Sequence, residues 1–496
     1  MRKTMKEMIK RTAACLLFAG LAAGMLYGAY RLLHFKSTDG CYPAEMFYQQ
    51  EENTVDVLCL GSSHTYTNIN PAILWDEYGM AAYDLAGSNQ TLWNTYYYMK
   101  EALKYQTPQL VVVDVYRVME EDEYQGTERM TMNMFGLRHS DDYVENLQVS
   151  LAPEEEQLDY LLRYPVYHAR YQELKEDDFL PYHGDANGRN YKGFNINSIS
   201  TTVFEGLPDV TWVTETGKME KKNEKYLKEI IDLAKEQDIP LLLVAAPYME
   251  VGEEDEMLYN QVAEIAAEHQ VDFVDFNRQF EQIGLDPQKD FAESSHLNYY
   301  GSEKYTSYLG NYIAKHFKVS DRRGDKRYDS WEANSRYYEK HAQNVDLKKT
   351  TDANAYFKKL FANTDRYTIC VMTKGDYRSQ KWPFIKSMLK KYGMDPDTDT
   401  VWIWKDGELQ MTVPADTTED KVYYQDLGRK SVTVLTEERY SAMLDDPYLY
   451  REVSIEGINC DAAENGINIM VYDNELQEMV DNAGMNASDG YAFMRY

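Results

Sequence analysis

The chain is poor in the residues that would mark a metal protein, a disulfide scaffold or a nucleic-acid binder. Of its 496 residues only five are cysteine (Cys15, Cys41, Cys59, Cys370 and Cys460), and none forms a C-x-x-C pair. Zinc-site and dithiol-redox spacings are therefore missing, and no metal or cofactor is expected. Cys370 and Cys460 remain as one candidate bridge in the C-terminal part. Basic residues are also scarce: 52 Lys and Arg face 82 Asp and Glu, a formal net charge of −30. Seven of those bases (Arg2, Lys3, Lys6, Lys10, Arg11, Arg31 and Lys36) crowd into residues 1–36 beside one acid, Glu7. The rest is more acidic still and would be repelled by a phosphate backbone, which argues against nucleic acid as a partner. No internal repeat is visible. Phe (16) and Trp (7) are few beside 43 Tyr, a residue that suits both carbohydrate-like ligands and a wet surface.

Only one long apolar run is present. Ala13 to Tyr30 carries no charge, follows five basic residues and stops at Arg31. With Leu32 and Leu33 it is just long enough to span a bilayer. The basic flank places the N-terminus in the cytoplasm and everything after Arg31 outside. Leu21-Ala22-Ala23 would suit a signal peptidase, but the run is longer than a usual signal core and no clean cleavage site closes it. An uncleaved single-pass anchor over residues 1–36 is expected.

Beyond a short polar stem, strands and helices alternate. Val55–Leu60, Ala81–Leu85, Leu110–Val115, Pro240–Ala246 and Val271–Phe276 read as strands. Pro71–Tyr78, Leu92–Tyr105, Asn223–Gln237, Met257–His269 and Tyr300–Phe317 read as helices. Continuous apolar strands such as L-V-V-V-D-V, separated by helices, indicate an α/β domain: a parallel sheet covered by helices on both faces, over residues 37–320. Residues 119–220 break the rhythm and read as an acidic, Tyr-rich, irregular insertion folded over the site, with Gly/Asn turns at 184–198. Residues 321–350 lack an apolar period and read as a linker. Residues 351–496 have strands of their own (Tyr367–Thr373, Thr400–Trp404, Ser431–Leu435, Ile467–Tyr472) and suffice for a second, smaller α/β domain.

Two motifs carry chemistry. V-D-V-L-C-L-G-S-S-H (Val55–His64) runs a buried strand into a small-residue turn, where a serine next to a helix N-terminus can act as nucleophile under backbone N–H groups. Ser and Gly also favour such turns for purely structural reasons. E-S-S-H-L-N (Glu293–Asn298) supplies a histidine with a carboxylate three residues earlier. Glu293 can orient the His296 ring and leave its other nitrogen for Ser63. His64 either lines the acceptor site or merely starts a helix, and His168, in the insertion, either touches the pocket or packs.

With G-S-S-H, D-L-A-G-S-N-Q-T (84–91), V-V-V-D-V and E-S-S-H-L-N-Y-Y-G in view, residues 55–120 and 220–318 resemble the SGNH/GDSL hydrolase superfamily. The flavour is its membrane-anchored branch, similar to the teichoic-acid D-alanylation protein DltD and the cell-wall and alginate O-acetylation proteins. The resemblance implies a flavodoxin-like sheet, Ser63 as nucleophile and His296 as base. The family's D-x-x-H has Glu293 in the Asp position, with Asp290 as fallback. The second-block oxyanion glycine aligns with Asn89, Gly87 lying close, and the oxyanion N–H groups would be those of Ser63 and Asn89. The third-block Asn is missing from Val113–Val118, where Arg117 is the candidate substitute. His64, Arg117 and His168 are the candidate substrate-binding residues. Residues 355–496, through N-G-I-N-I-M-V-Y-D-N-E-L-Q-E-M-V-D and Y-T-I-C-V-M-T-K-G-D, resemble the interleukin-like EMT-inducer (PANDER-type) domain, which implies a non-catalytic glycan- or protein-binding module. The expectation is an extracytoplasmic acyl esterase or O-acyltransferase acting on a cell-envelope glycan or polymer, with a membrane-bound O-acyltransferase as the implied partner. The alternative is a non-catalytic glycan-binding or assembly protein with a decayed site.

Overall fold

The structure, a computed structural model, describes residues 2–35, 39–174, 191–195, 200–415, 417, 421–426, 431–441, 446–455, 458–460, 462–476 and 478–495. The chain divides into two units, Met1–Tyr338 and Glu339–Tyr496.

The first unit is built on five strands: β1 (Val57–Gly61), β2 (Ala82–Ala86), β3 (Leu110–Asp114), β4 (Leu241–Ala245) and β5 (Asp272–Asp275). They form one parallel sheet in the order β2-β1-β3-β4-β5. Every residue of β1 to β4 is buried, which explains why the sequence shows unbroken apolar runs there rather than alternation. Helices flank the sheet, with Pro71–Tyr78 packed on Tyr299–His316 and Leu92–Ala102 on Lys221–Glu236. This is the flavodoxin-like order, whose winding reverses between β1 and β3. Such sheets open a crevice at the carboxyl ends of those two strands.

Two stretches differ from the sequence reading. The 119–220 region, expected to be irregular, holds the helices Thr127–Met134, Asp141–Ser150 and Gln157–Leu162. Met130, Met134, Tyr143 and Leu147 are buried at helical spacing, a period that the surrounding acids and tyrosines obscure. Most of the turns expected at 184–198 lie outside the described residues. The supposed linker at 321–350 carries a helix, Asp329–Lys349, and the boundary between the units falls within it. Trp331, Ser335 and Tyr338 recur at spacings of four and three and are buried, although charged neighbours mask the stripe.

The N-terminal helix spans Arg2–Leu33, and its Met8–Leu33 portion, with mean hydropathy 1.7, is long and apolar enough to cross a membrane.

The second unit is antiparallel throughout. Its strands are β6 (Tyr367–Lys374), β7 (Asp399–Lys405), β8 (Glu408–Pro414), β9 (Lys421–Asp426), β10 (Ser431–Ser441), β11 (Asp446–Ile455), β12 (Ile458–Asn459), β13 (Gly466–Asp473), β14 (Glu478–Asn486) and β15 (Ala492–Arg495). They form a six-stranded sheet, β15-β14-β13-β6-β7-β8, and a four-stranded one, β12-β11-β10-β9. Helices Ala353–Phe361 and Trp382–Lys391 complete this smaller domain around Phe357, Leu360, Leu389, Trp402 and Ile469. Cys370 and Cys460 form no disulfide. Both belong to an apolar cluster with Met372 and Met470, and burial pushes the Cys370 thiol up to about 12.

Candidate active site

Ser63 sits where β1 ends and the short helix Ser63–Asn68 begins. The turn requires Gly61: its φ is +146°, and a Cβ there would lie 2.4 Å from Thr65 Oγ1 and 3.1 Å from the Asp114 backbone. Thr65 Oγ1 donates back to Leu60 O at 3.1 Å and closes the turn. The Ser63 N–H, at the first helical position, has no acceptor within its helix. Asp114 braces the neighbouring strands, its carboxylate accepting from Tyr116 N–H at 3.1 Å and Ala246 N–H at 3.0 Å. Burial raises its carboxyl to about 7 despite those two donors.

His296 is carried by a pinned loop. Phe291 bridges Leu297, Ala292 N–H donates to His296 O at 3.0 Å, and Asn298 N–H donates to Asp290 O at 2.9 Å. Asn298 also caps the helix Tyr299–His316, its side-chain oxygen accepting from Tyr300 N–H and Gly301 N–H. The loop therefore has little freedom to move the ring. His296 Nε2 lies 2.7 Å from Ser63 Oγ, and His296 Nδ1 is hydrogen-bonded to Glu293 Oε1. Burial works against a charge on Glu293, but the Ser295 N–H at 2.8 Å and the His296 ring outweigh it and hold the carboxyl below its ordinary value. The line Glu293–His296–Ser63 is continuous and open to solvent, with side-chain exposures of 50% for Glu293 and 26% for His296. Asp290, the fallback acid, is turned away: it is buried, pairs with Lys304 Nζ at 2.5 Å and accepts from Asp286 N–H.

Asn89, in the loop after β2, the strand paired with β1, has φ +51°, and its side-chain oxygen accepts from Arg117 Nη1 at 3.3 Å. Arg117 is otherwise committed to Glu120, which also binds Arg129 at 3.0 Å. The guanidinium thus props Asn89 rather than standing free for a ligand. Gly87 is structural here, since a Cβ would lie 2.2 Å from Asn133 Oδ1. Ser88 N–H donates to Asp39 O at 2.6 Å, so the stem just after the N-terminal helix braces this loop.

His64 is not at the surface of the site. It is fully buried, stacked on Tyr116 at 3.7 Å, edge-on to Tyr248 and 5.2 Å from the His296 ring. Neither ring nitrogen has a hydrogen-bond partner among the described residues. Burial first, and then His296 and Arg117, hold it well below the usual histidine value and keep it neutral. A sealed ring cannot touch a substrate, which corrects its expected binding role. His168 is not brought near Ser63 either. It is exposed and bonds to Pro165 O beside the end of the N-terminal helix.

Sequence reasoning missed three supports. Tyr116 covers His64, Tyr248 packs against both rings, and Glu250 accepts from Ser294 Oγ at 2.6 Å and Ser295 Oγ at 3.1 Å. All three follow the carboxyl ends of β3 and β4, the one signal that could have flagged them.

Neither a scan of protein-family models nor a search of curated proteins finds a match. Among solved structures, one assigned to the G-D-S-L family of lipolytic proteins, from Desulfitobacterium hafniense DCB-2, is similar at 11% identity. The match covers 52% of this chain and 98% of that one, with a TM-score of 0.27. A score that low has no weight of its own. The α/β fold stands on sheet order, and the site on its distances.

Proposed function

We propose that this protein is a membrane-anchored, extracytoplasmic serine acyl esterase or O-acyltransferase of the SGNH type, acting on a cell-envelope glycan or polymer. The observation that carries the reading is the Ser63–His296–Glu293 line, with Ser63 Oγ 2.7 Å from His296 Nε2 and Glu293 on the far nitrogen.

Ser63 Oγ attacks the acyl carbonyl while its proton passes to His296 Nε2. Glu293 steadies the imidazolium that results. The carbonyl oxygen, now an anion, is held by the N–H groups of Ser63 and Asn89, with Arg117 holding Asn89 in place. Collapse expels the alcohol, which takes the proton from His296 and leaves an acyl-serine. Water or an acceptor hydroxyl then reverses the sequence.

With only backbone donors and no third-block Asn, the oxyanion is less well held than in a three-donor site. Loss of one such donor costs about 10²–10³ in rate. A slow deacylation by water favours transfer to a well-placed acceptor. Asp39, six residues past Leu33 in the chain, braces Ser88 beside Asn89, which suits an acyl donor delivered from a membrane-bound O-acyltransferase.

The test is a partition experiment. The purified full chain is given p-nitrophenyl acetate with and without an oligosaccharide acceptor, and both nitrophenol and acetylated sugar are followed. Acetyl-sugar formation that Ser63→Ala abolishes supports transfer. Nitrophenol release that is unchanged in Ser63→Ala contradicts the reading.

A further inference from the structure

The N-terminal helix does not end in a loose tether. Its last turn is gripped by residues 163–172. Arg170 Nη1 donates to the carbonyls of Leu32, Leu33 and His34 at 3.2–3.4 Å. The Tyr167 ring stands edge-on to Tyr30, His34 and Phe35, 5.7–5.9 Å away. His34 Nε2 is fixed to Glu45 at 2.6 Å, and Leu33 and His34 are both buried. Beneath the grip, the buried Arg163 donates to the carbonyls of Phe135 and Leu137. The segment that holds the helix is thus tied rigidly to the body.

The same segment turns an apolar face outward. Leu158 and Leu162 are each 59% exposed, Tyr164 is 38% exposed and Tyr171 is 62% exposed. Leu158 and Leu162 stand four apart in the helix Gln157–Leu162 and share one face, while Tyr160 from the same turn fills the core. Apolar side chains here point both inward and outward. A face of leucines and tyrosines with its grip on the end of an apolar, membrane-length helix has the composition of an interfacial element.

We infer that residues 157–172 rest in the lipid–water interface of the outer leaflet, as a second membrane contact beside the anchor. This rests on the reading of Met8–Leu33 as a membrane span. Leucine and tyrosine enter the headgroup region, and Arg163 and Arg170 hold the segment to the body and to the helix end. Two contacts on a rigid body fix its tilt, which a single helix cannot do. Because Asp39 braces Ser88, the loop after β2 that carries Asn89 is then held at a set height above the bilayer, where a membrane-delivered acyl group arrives. The run Glu154–Glu156 precedes the face, so contact is apolar and neutral lipid is the appropriate probe.

The experiment uses the full chain in phosphatidylcholine vesicles with the environment-sensitive dye NBD on single cysteines. Leu162→Cys and Tyr171→Cys are made in a Cys15→Ser background, with Leu158→Cys in reserve should either fail to fold. Cys41, Cys59, Cys370 and Cys460 are buried and are not labelled. Native Cys15 reports the span itself. Lys315→Cys, exposed at the far end of the helix leaving the site, reports water. Emission at 162 and 171 is expected to be blue-shifted relative to 315 and to fall about twofold or more when the lipid carries a shallow nitroxide quencher. Quenching at 15 without quenching at 162 or 171 overturns the inference and leaves the anchor intact. A blue shift at 162 and 171 without lipid quenching also overturns it, because a protein then covers the face. No quenching at 15 removes the anchor reading itself.

Discussion

His64→Phe is the substitution whose outcome the structure specifies most fully. The imidazole is completely buried, both nitrogens lack partners among the described residues, and its flat face stacks on Tyr116 at 3.7 Å. Burying polar atoms without hydrogen bonds costs about 1–3 kcal/mol, so an apolar ring of similar shape should recover that amount at neutral pH. At about 2.1 cal/mol/K of unfolding entropy per residue, a unit of this size converts it to roughly 1–4 °C in melting midpoint. The sharper readout is pH. The folded-state value of His64 lies below the unfolded one of about 6.5, so the unfolded chain binds the extra proton and stability falls as pH drops below that value. As pH falls from 7.5 to 5.5 the wild type loses stability through this residue, on the order of 1 kcal/mol, and His64→Phe loses none of it. Thermal melts of both proteins in the same detergent should show the gap widening by about 2 °C at the lower pH. Strain from the larger ring is independent of pH and cannot imitate the widening. A constant gap would mean instead that the ring is partnered or already charged.

Four further substitutions separate chemistry from architecture. Gly61→Ala forces a methyl against Thr65 and Asp114 at a φ that alanine avoids, and should cut esterase turnover about 100-fold or more by displacing Ser63, with the chain still folded by circular dichroism. Glu293→Gln should lower kcat about 10²-fold, whereas Asp290→Asn should leave kcat within a few-fold and lower the melting midpoint through its lost contact with Lys304. In the second unit Arg366 binds Asp473 in the interior, so Arg366→Met should destabilise that unit by about 3–5 kcal/mol, read as an earlier unfolding transition.

The first unit was legible because its strands are buried on both faces. Runs such as Leu110–Val113 announce a parallel sheet with no need of alternation, and the helix starts at Pro71 and Asn298 carry clear signals. The Ser63 turn and the histidine loop could be named because small residues after a strand and an acid three before a histidine are local patterns. What surrounds them was not legible. Whether Asp290 or Glu293 faces the ring depends on Lys304, fourteen residues on, which claims Asp290. His64 looked like a site residue from its position beside Ser63, yet Tyr116, more than fifty residues away, seals it. The helix Asp329–Lys349 was hidden because a few aromatics hold it amid many charges. In the second unit the antiparallel edges β8 and β15 have mixed exposure, and β15 offers only three consecutive apolar residues, Ala492–Met494.

Whether Ser63 is a nucleophile served by His296 is decided by fluorophosphonate labelling of the full chain followed by peptide mapping. Adduct is expected on Ser63 in the wild type and none on Ser63→Ala, with labelling of His296→Asn slowed by about 10²-fold or more. Adduct on another residue, or equal labelling of the wild type and Ser63→Ala, would contradict that role.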